Sequence, residues 1–145
     1  MSKNVDFDIA EFLPYLLNQA AEQCSLDFQS YYKEKYGMLR TEWRVVFHLG
    51  KYGLMTARDV SLKAKTHKTK ISRAVHELER KDFLVRETDP NDRRQERLSL
   101  TTRGKKVYDD LQRAARDYDR TITDTFKDSE VALLRKMLKS LIDPA

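Results

Sequence analysis

Between Ala64 and Leu100 the chain passes from a helical pattern to two strand-like ones separated by a turn, and few folds accommodate that succession. Ile71, Val75 and Leu78 stand at i, i+4 and i+7, drawing one apolar stripe along a helix from about Lys68 to Lys81. Lys68, Thr69, Lys70, Ser72, Arg73 and His76 fall mainly away from that stripe or at the helix start. Phe83–Thr88 and Glu96–Leu100 suit strands, the second by alternation, and they flank Asp89-Pro90-Asn91-Asp92-Arg93-Arg94. A helix with core behind and cations and hydroxyls in front suits a DNA major groove. A hairpin tipped with arginine suits the adjacent minor groove or the backbone. Together they predict a winged helix-turn-helix and a duplex DNA partner.

The charge distribution points the same way. Net charge is +5, but residues 1–39 carry a net of −3, residues 40–100 a net of +6 and residues 101–145 a net of +2. Within 63–76 there are five cations (Lys63, Lys65, Lys68, Lys70, Arg73) and no acid. A solvated lysine-rich face would look similar, but here the excess is confined to one compact segment with its own helix and hairpin signals. That favours a phosphate-facing surface.

The flanks read as helices. Ile9, Phe12, Leu13, Leu16, Leu17, Ala20, Cys24 and Phe28 recur at helical spacing over 8–35, with Pro14 marking a start or a kink. Gly37 breaks the pattern, and Thr41 is the expected N-cap of a helix to about Tyr52 that turns Val45, Val46, Leu49 and Trp43 inward. Gly53 ends it in the position where a left-handed residue is usual. Thr56 and Asp59 have capping-box spacing for a helix to Ala64 that buries Val60, Ala57 and Ala64. Thr101-Thr102-Arg103-Gly104 opens a long helix, and Asp128-Ser129 caps a last one striped by Val131, Leu134, Met137, Leu138 and Leu141.

The fold class is therefore mainly α with a small β-hairpin wing, in one unit over 1–145. Residues 39–100 form the expected DNA-binding lobe, and 8–36 with 102–145 a helical region with more apolar surface than one small lobe covers. A second copy would bury it, so a homodimer on a palindromic operator with two half-sites is expected.

Other classes find little support. There is no phosphate loop, zinc-type histidine pair or nucleophile elbow, and the histidines at 48, 67 and 76 are scattered, so neither an enzyme, a metal site nor a cofactor is expected. The start of the chain lacks a basic, then apolar leader and no run is long enough to span a bilayer, so a cytoplasmic location is expected. A protein-binding winged module is the alternative to a DNA reader, but such modules usually lack a cation-rich recognition helix.

Several elements in order resemble the MarR family of bacterial transcription regulators: Leu78-Glu79-Arg80-Lys81, Leu84-Val85-Arg86, Asp89-Pro90-Asn91-Asp92-Arg93-Arg94 and Leu100-Thr101-Thr102-Arg103-Gly104. Residues 39–61 resemble the two helices that precede them. One departure is Asp82, where the family usually has Gly, and Asp tolerates a left-handed backbone less well. The resemblance implies a homodimer, sequence-specific repression or activation, and often relief by a small phenolic or carboxylate effector.

Thr69, Ser72, Arg73 and His76 are the candidate base readers, with Lys68 and Lys70 nearer the helix start. By alignment with the family, Arg94 is the candidate minor-groove arginine, and Asp92 would hold its guanidinium or the wing backbone. Arg93 is the alternative, since neighbours in a hairpin face opposite ways. Lys63, Lys65 and the helix start at Thr41 are candidate phosphate contacts. Tyr15, Trp43, Arg44 and His48 are residue types that could hold an aromatic acid, though each is equally explained as core or surface. Some family members sense oxidants through an N-terminal cysteine. Cys24 lies on an apolar stripe and reads instead as a small buried hydrophobe, with a redox-responsive regulator as the alternative.

Overall fold

Backbone donors left over at helix starts decide where most elements of this chain begin. The computed structural model describes residues 6–144, and residues 1–5, on which the expectation about a leader rests, lie outside that span. Asp8 accepts from Ala10 N–H at 3.0 Å and opens a short 3-10 turn, Ile9–Glu11. Helix α1 (Leu13–Tyr36) then starts with Pro14 in its first turn, where a missing N–H costs nothing. Residues 8–35 are thus a turn plus a helix, divided at Phe12. Gly37 closes α1 with φ of 63°.

Helix α2 (Arg40–Tyr52) begins two residues earlier than expected, so Thr41 lies inside it and does not cap it. The Glu42 carboxylate reaches back to accept from Leu39 N–H at 3.0 Å, which leaves a hydroxyl cap nothing to do. Gly53 ends α2 at φ 77° and ψ −136°, outside the left-handed helical region expected but equally confined to glycine.

After strand β1 (Met55–Thr56), helix α3 (Ala57–Ala64) opens on the expected reciprocal cap. Thr56 Oγ1 accepts from Asp59 N–H at 3.0 Å, and Asp59 accepts from Thr56 N–H at 3.2 Å. Helix α4 (Lys68–Arg80) follows a tight turn through Lys65, whose φ is 49°. Strands β2 (Leu84–Thr88) and β3 (Glu96–Leu100) form the hairpin, with Leu84 opposite Leu100 and Arg86 opposite Leu98. β1 adds to the free edge of β3, an antiparallel third strand too short for any periodicity to announce.

Helix α5 (Thr102–Thr123) is capped by Thr101, and its Gly104 passes so close to the chain that a Cβ there would stand 1.9 Å from the Phe83 carbonyl oxygen. In α6 (Asp128–Ile142), Asp128 and Ser129 are the first helical residues and not caps. Glu130 accepts from Lys127 N–H at 2.9 Å and does that work.

The core is shared by every element of the lobe: Val45, Val46 and Leu49 of α2, Val60 of α3, Ile71, Val75 and Leu78 of α4, and Leu84 and Leu98 of the sheet. Ala57, expected inside, faces solvent because the cap turns the first residue of α3 outward. Tyr31 and Tyr36 hydroxyls and the Lys35 ammonium converge on Asp110 and fasten the end of α1 to α5. Burial pushes the Asp110 carboxyl up, but hydrogen bonds from Tyr36, Lys35 and Tyr31 outweigh it and hold the group at about 2.

The rest of α1 and α6 is uncovered. Of the apolar series on α1 only Phe28 is buried. Ile9, Phe12, Leu13, Leu16, Leu17, Ala20 and Cys24 are all exposed in the single chain, contrary to a buried role for Cys24. On α6 Val131 is buried and Leu138 half-buried, while Leu134, Met137 and Leu141 face outward. An apolar groove of about 350 Å³ runs between these helices, walled by Leu17, Cys24, Ile122, Phe126 and Leu134. None of the described residues fills it. Among the described residues no helix is long and apolar enough to cross a membrane.

Two outcomes follow from the backbone and from Asp110. Asp82 adopts φ of 63° just after α4, at the negative end of the helix dipole. Asp82→Gly should therefore raise stability by about 1 kcal/mol in urea unfolding, the relieved strain and repulsion exceeding glycine's entropy cost. Asp110 is depressed in the folded state from an ordinary 3.8, so its contribution is present above about pH 4 and lost as pH falls towards 2. Asp110→Asn should lose about 2 kcal/mol at neutral pH and flatten the acid limb of a stability–pH curve.

Candidate nucleic-acid interface

The local rule that builds α4 also builds the site. Ile71, Ala74, Val75 and Leu78 are buried, so Lys68, Thr69, Lys70, Ser72, Arg73 and His76 are all forced to the exposed side. The helix start is fixed by His67, whose Nδ1 accepts from Thr69 N–H at 3.1 Å. That cap was not legible as such, because histidine is not among the favoured capping residues. Its far end is held by Lys81, which donates to buried Glu42 at 2.7 Å and to the Gly37 carbonyl at 2.8 Å.

An open groove of about 760 Å³ runs between α3 and α4, with Ala57, Arg58, Ser61 and Leu62 on one wall and Lys68, Thr69, Ser72 and Arg73 on the other. On the opposite flank, Thr41 faces Lys70 and Arg73 across a smaller cleft of about 160 Å³. Thr41 thus joins the α4 surface even though it caps nothing. His76 is exposed one turn beyond Ser72.

The wing is stiffened by two aspartates. Buried Asp89 accepts from Asn91 N–H at 2.9 Å and from Arg97 at 3.1 Å, and Asp92 accepts from Arg94 N–H at 3.0 Å. Asp92 therefore holds wing backbone, one of the two uses expected, and its partner is the amide and not the guanidinium of Arg94. Arg93 and Arg94 are both exposed and line a second groove of about 430 Å³ with Thr56, Ala57 and Arg58. Arg86 points elsewhere, pairing with Glu79 and Glu96 at 3.3 and 3.2 Å.

Lys63 and Lys65 are drawn away from these grooves. The Lys63 ammonium lies 4.3 Å from the centre of the Tyr52 ring, and Lys65 donates to the Ile142 carbonyl at 2.8 Å, at the end of α6. Arg58, which the sequence reading passed over because it lies outside the basic run, lines both grooves.

The residues considered for a small ligand are not gathered in one chain. Tyr15 is thirteen residues from Phe28, about 20 Å along α1. Trp43 is edge-on to Phe28 and Phe47 at 5.7 and 5.0 Å, as a core ring. His48 turns back on its own helix, Nδ1 donating to the Arg44 carbonyl at 2.6 Å. Beside Trp43, however, the Tyr32 hydroxyl is fully buried without a hydrogen-bond partner among the described residues. Burial pushes this phenol up, while Trp43, Arg40 and Arg44 nearby pull the other way.

Residues 36–95 match the sequence profile of the MarR family. Those residues are 60 of the 145 in the chain, and over them it is similar to the MarR family. No curated protein sequence matches it. Among solved structures it is similar to a MarR/EmrR family transcriptional regulator from Acinetobacter sp. ADP1, at 24% identity over 95% of this chain and 97% of that one, TM-score 0.86. It is also similar to BpsR of Bordetella bronchiseptica, whose DNA binding is regulated by 6-hydroxynicotinic acid, at 18% identity over 95% and 98%, TM-score 0.84. A third is NadR in complex with 4-hydroxyphenylacetate, at 21% identity over 99% of both chains, TM-score 0.79. At these identities the likeness speaks to fold, and it extends the MarR architecture beyond residues 36–95.

If Arg73 holds a base edge from this MarR-type helix, Arg73→Ala costs about 1–3 kcal/mol of discrimination at one base pair per half-site. Anisotropy titrations against a panel of single-base operator variants would measure it. Equal loss on every sequence would make Arg73 a phosphate contact only.

Proposed function

We propose that this protein is a homodimeric, sequence-specific DNA-binding transcription regulator of the MarR family, a repressor whose hold on DNA is modulated by a small phenolic or carboxylate ligand. The observation that carries the DNA reading is the division of α4: its apolar side is locked into the core, and every polar or charged side chain proposed to read bases projects from the other. The neighbouring wing presents Arg93 and Arg94 on a backbone pinned by Asp89 and Asp92. In this arrangement Lys68, Thr69, Lys70, Ser72, Arg73 and His76 meet the major groove, Arg94 or Arg93 the minor groove, and Thr41 a flanking phosphate.

Residues 39–100 then make up the DNA-binding lobe, and 8–36 with 102–145 pair the two copies. Support for pairing comes from the uncovered apolar faces of α1 and α6, where Leu13, Leu133 and Leu141 are 63%, 53% and 57% exposed. A contiguous apolar surface of this kind is unusual on a monomer and normal at an interface that doubles half-sites. The place of action that follows is the cytoplasm.

Support for a ligand comes from the Tyr32 hydroxyl, an unpaired buried donor beside an indole and two guanidinium groups. A hydroxylated aromatic acid carries a ring for Trp43, a carboxylate for Arg40 or Arg44 and an acceptor for Tyr32. Both named ligands of the structural neighbours are of that chemistry.

One set of measurements tests the whole. The wild-type chain should sediment as a dimer and bind the duplex upstream of its own gene with a steep negative salt slope and an excess over random duplex. Adding 4-hydroxyphenylacetate or 6-hydroxynicotinate should release that duplex. The double variant Leu17→Glu/Leu134→Glu should sediment as a monomer and lose operator affinity while keeping its helical circular dichroism. A monomeric wild type, or one indifferent to its upstream duplex at low salt, overturns the proposal, and binding that neither acid loosens removes the ligand from it.

A further inference from the structure

Arg58 stands where the two open grooves of the DNA-facing surface meet. It lines the groove between α3 and α4 and also the groove between α3 and the wing, sharing both positions only with Ala57. Arg73 lies in the first groove, and Arg93 and Arg94 in the second. None of these four arginines makes an ion pair within 4.0 Å among the described residues. Elsewhere the chain pairs its arginines freely, as with Arg40, Arg80, Arg86, Arg97 and Arg135.

Asp59, next to Arg58 in the chain, and Glu96, which lines the wing groove with it, are already engaged. Asp59 accepts from Thr56 N–H at 3.2 Å in the α3 cap, and Glu96 accepts from Arg86 at 3.2 Å across the hairpin. Three guanidinium groups thus line the wing groove, and the one carboxylate among the described lining residues, Glu96, is already paired with Arg86. Uncompensated cations gathered round an open concavity favour an anion there.

A helix seated in a major groove and a hairpin reaching the adjacent minor groove are separated by one sugar–phosphate strand. The side chain on the ridge between those two contacts faces that strand. Resting on the DNA-binding proposal above, we infer that Arg58 is the phosphate clamp between recognition helix and wing, holding the intervening strand so that Arg73 and Arg94 keep their register. Its planar fork can take two phosphate oxygens at once, and its contact carries affinity and orientation, not sequence.

The test is an anisotropy titration of wild type, R58A and R58K on the upstream duplex and on random duplex at several salt concentrations. R58A should weaken both duplexes by the same factor and make the salt slope shallower by about 0.9 for each copy engaged, about 1.8 for the dimer, the loss of one phosphate contact per copy. The wild type's advantage should then shrink about threefold between about 50 and about 200 mM salt for each lost contact. R58K, which keeps the charge, should keep the wild-type slope. Because Arg58 is exposed, R58A and wild type should unfold at the same temperature. If wild type binds normally and R58A is indistinguishable from it at low salt, the clamp is overturned. A loss confined to the specific duplex also overturns it, since that is a base contact. A wild type that ignores DNA fails at the earlier step, and the two failures are told apart by that control.

Discussion

Everything at the surface proposed to face DNA depends on α4 being core and exposed site at once. Burying Ile71, Ala74, Val75 and Leu78 fixes its rotation, and a one-residue slip would turn cations into the core. Its tilt is set by a second device, the contact of Lys81 with Glu42 and the Gly37 carbonyl. Glu42 is only 3% exposed, and its other oxygen satisfies the first donor of α2. One carboxylate thereby ties the end of α1, the start of α2 and the end of α4 to a common point. Removing a single member of such a pair leaves a charge buried and unpaired, which typically costs about 3–5 kcal/mol. Specificity for this geometry is what the pair contributes, more than net stability.

The parts legible in the sequence are those whose signal is local. Residues 68–100 announce themselves because a 3.6-residue stripe, a turn and an alternating strand follow one another without interruption. Thr56 with Asp59 and Thr101 with Gly104 are legible for the same reason, cap and partner lying three residues apart. What was not legible depends on partners distant in sequence or on backbone tolerance. Thr41 looked like a cap because nothing local says that Glu42 serves both its own helix and Lys81. Strand β1 has only two residues and exists because β3 offers it an edge. Cys24 sits on an apolar stripe, yet that stripe is uncovered by any of the described residues, so periodicity alone could not distinguish core from an uncovered face. Arg58 was missed because a charge scan rewards runs, and Arg58 stands alone between Ala57 and Asp59.

Asp82 shows how such a fold tolerates a poor residue at a demanding position. The turn after α4 needs a left-handed residue so that Phe83 can enter the core and its carbonyl can meet Thr101 N–H at 3.1 Å. The Thr101 hydroxyl also donates to the Asp82 carbonyl at 2.7 Å, and Gly104 lets α5 approach Phe83 closely. The neighbours over-determine the turn, so the strained φ persists. The demand falls on Gly104, where any Cβ meets backbone, more than on position 82.

The same fastening gives the proposed ligand response a mechanical route. Tyr32 lies on α1 and Arg40 and Arg44 on α2, and Arg40 already bridges back to Glu22 of α1 at 3.0 Å. A molecule that engages the buried phenol would draw on these guanidinium groups and so compete with that bridge. Arg40 and Glu42 share the first turn of α2, and Glu42 is the anchor of Lys81 at the end of α4. A shift of that turn by a fraction of an ångström is therefore a shift at the base of the recognition helix. In the proposed dimer two such helices meet half-sites a fixed distance apart, so a small common rotation would be read as a loss of spacing. On the proposed reading, DNA release needs no unfolding of the lobe. It needs only that the ligand prefer a placement of α2 in which the two copies no longer match the operator's pitch.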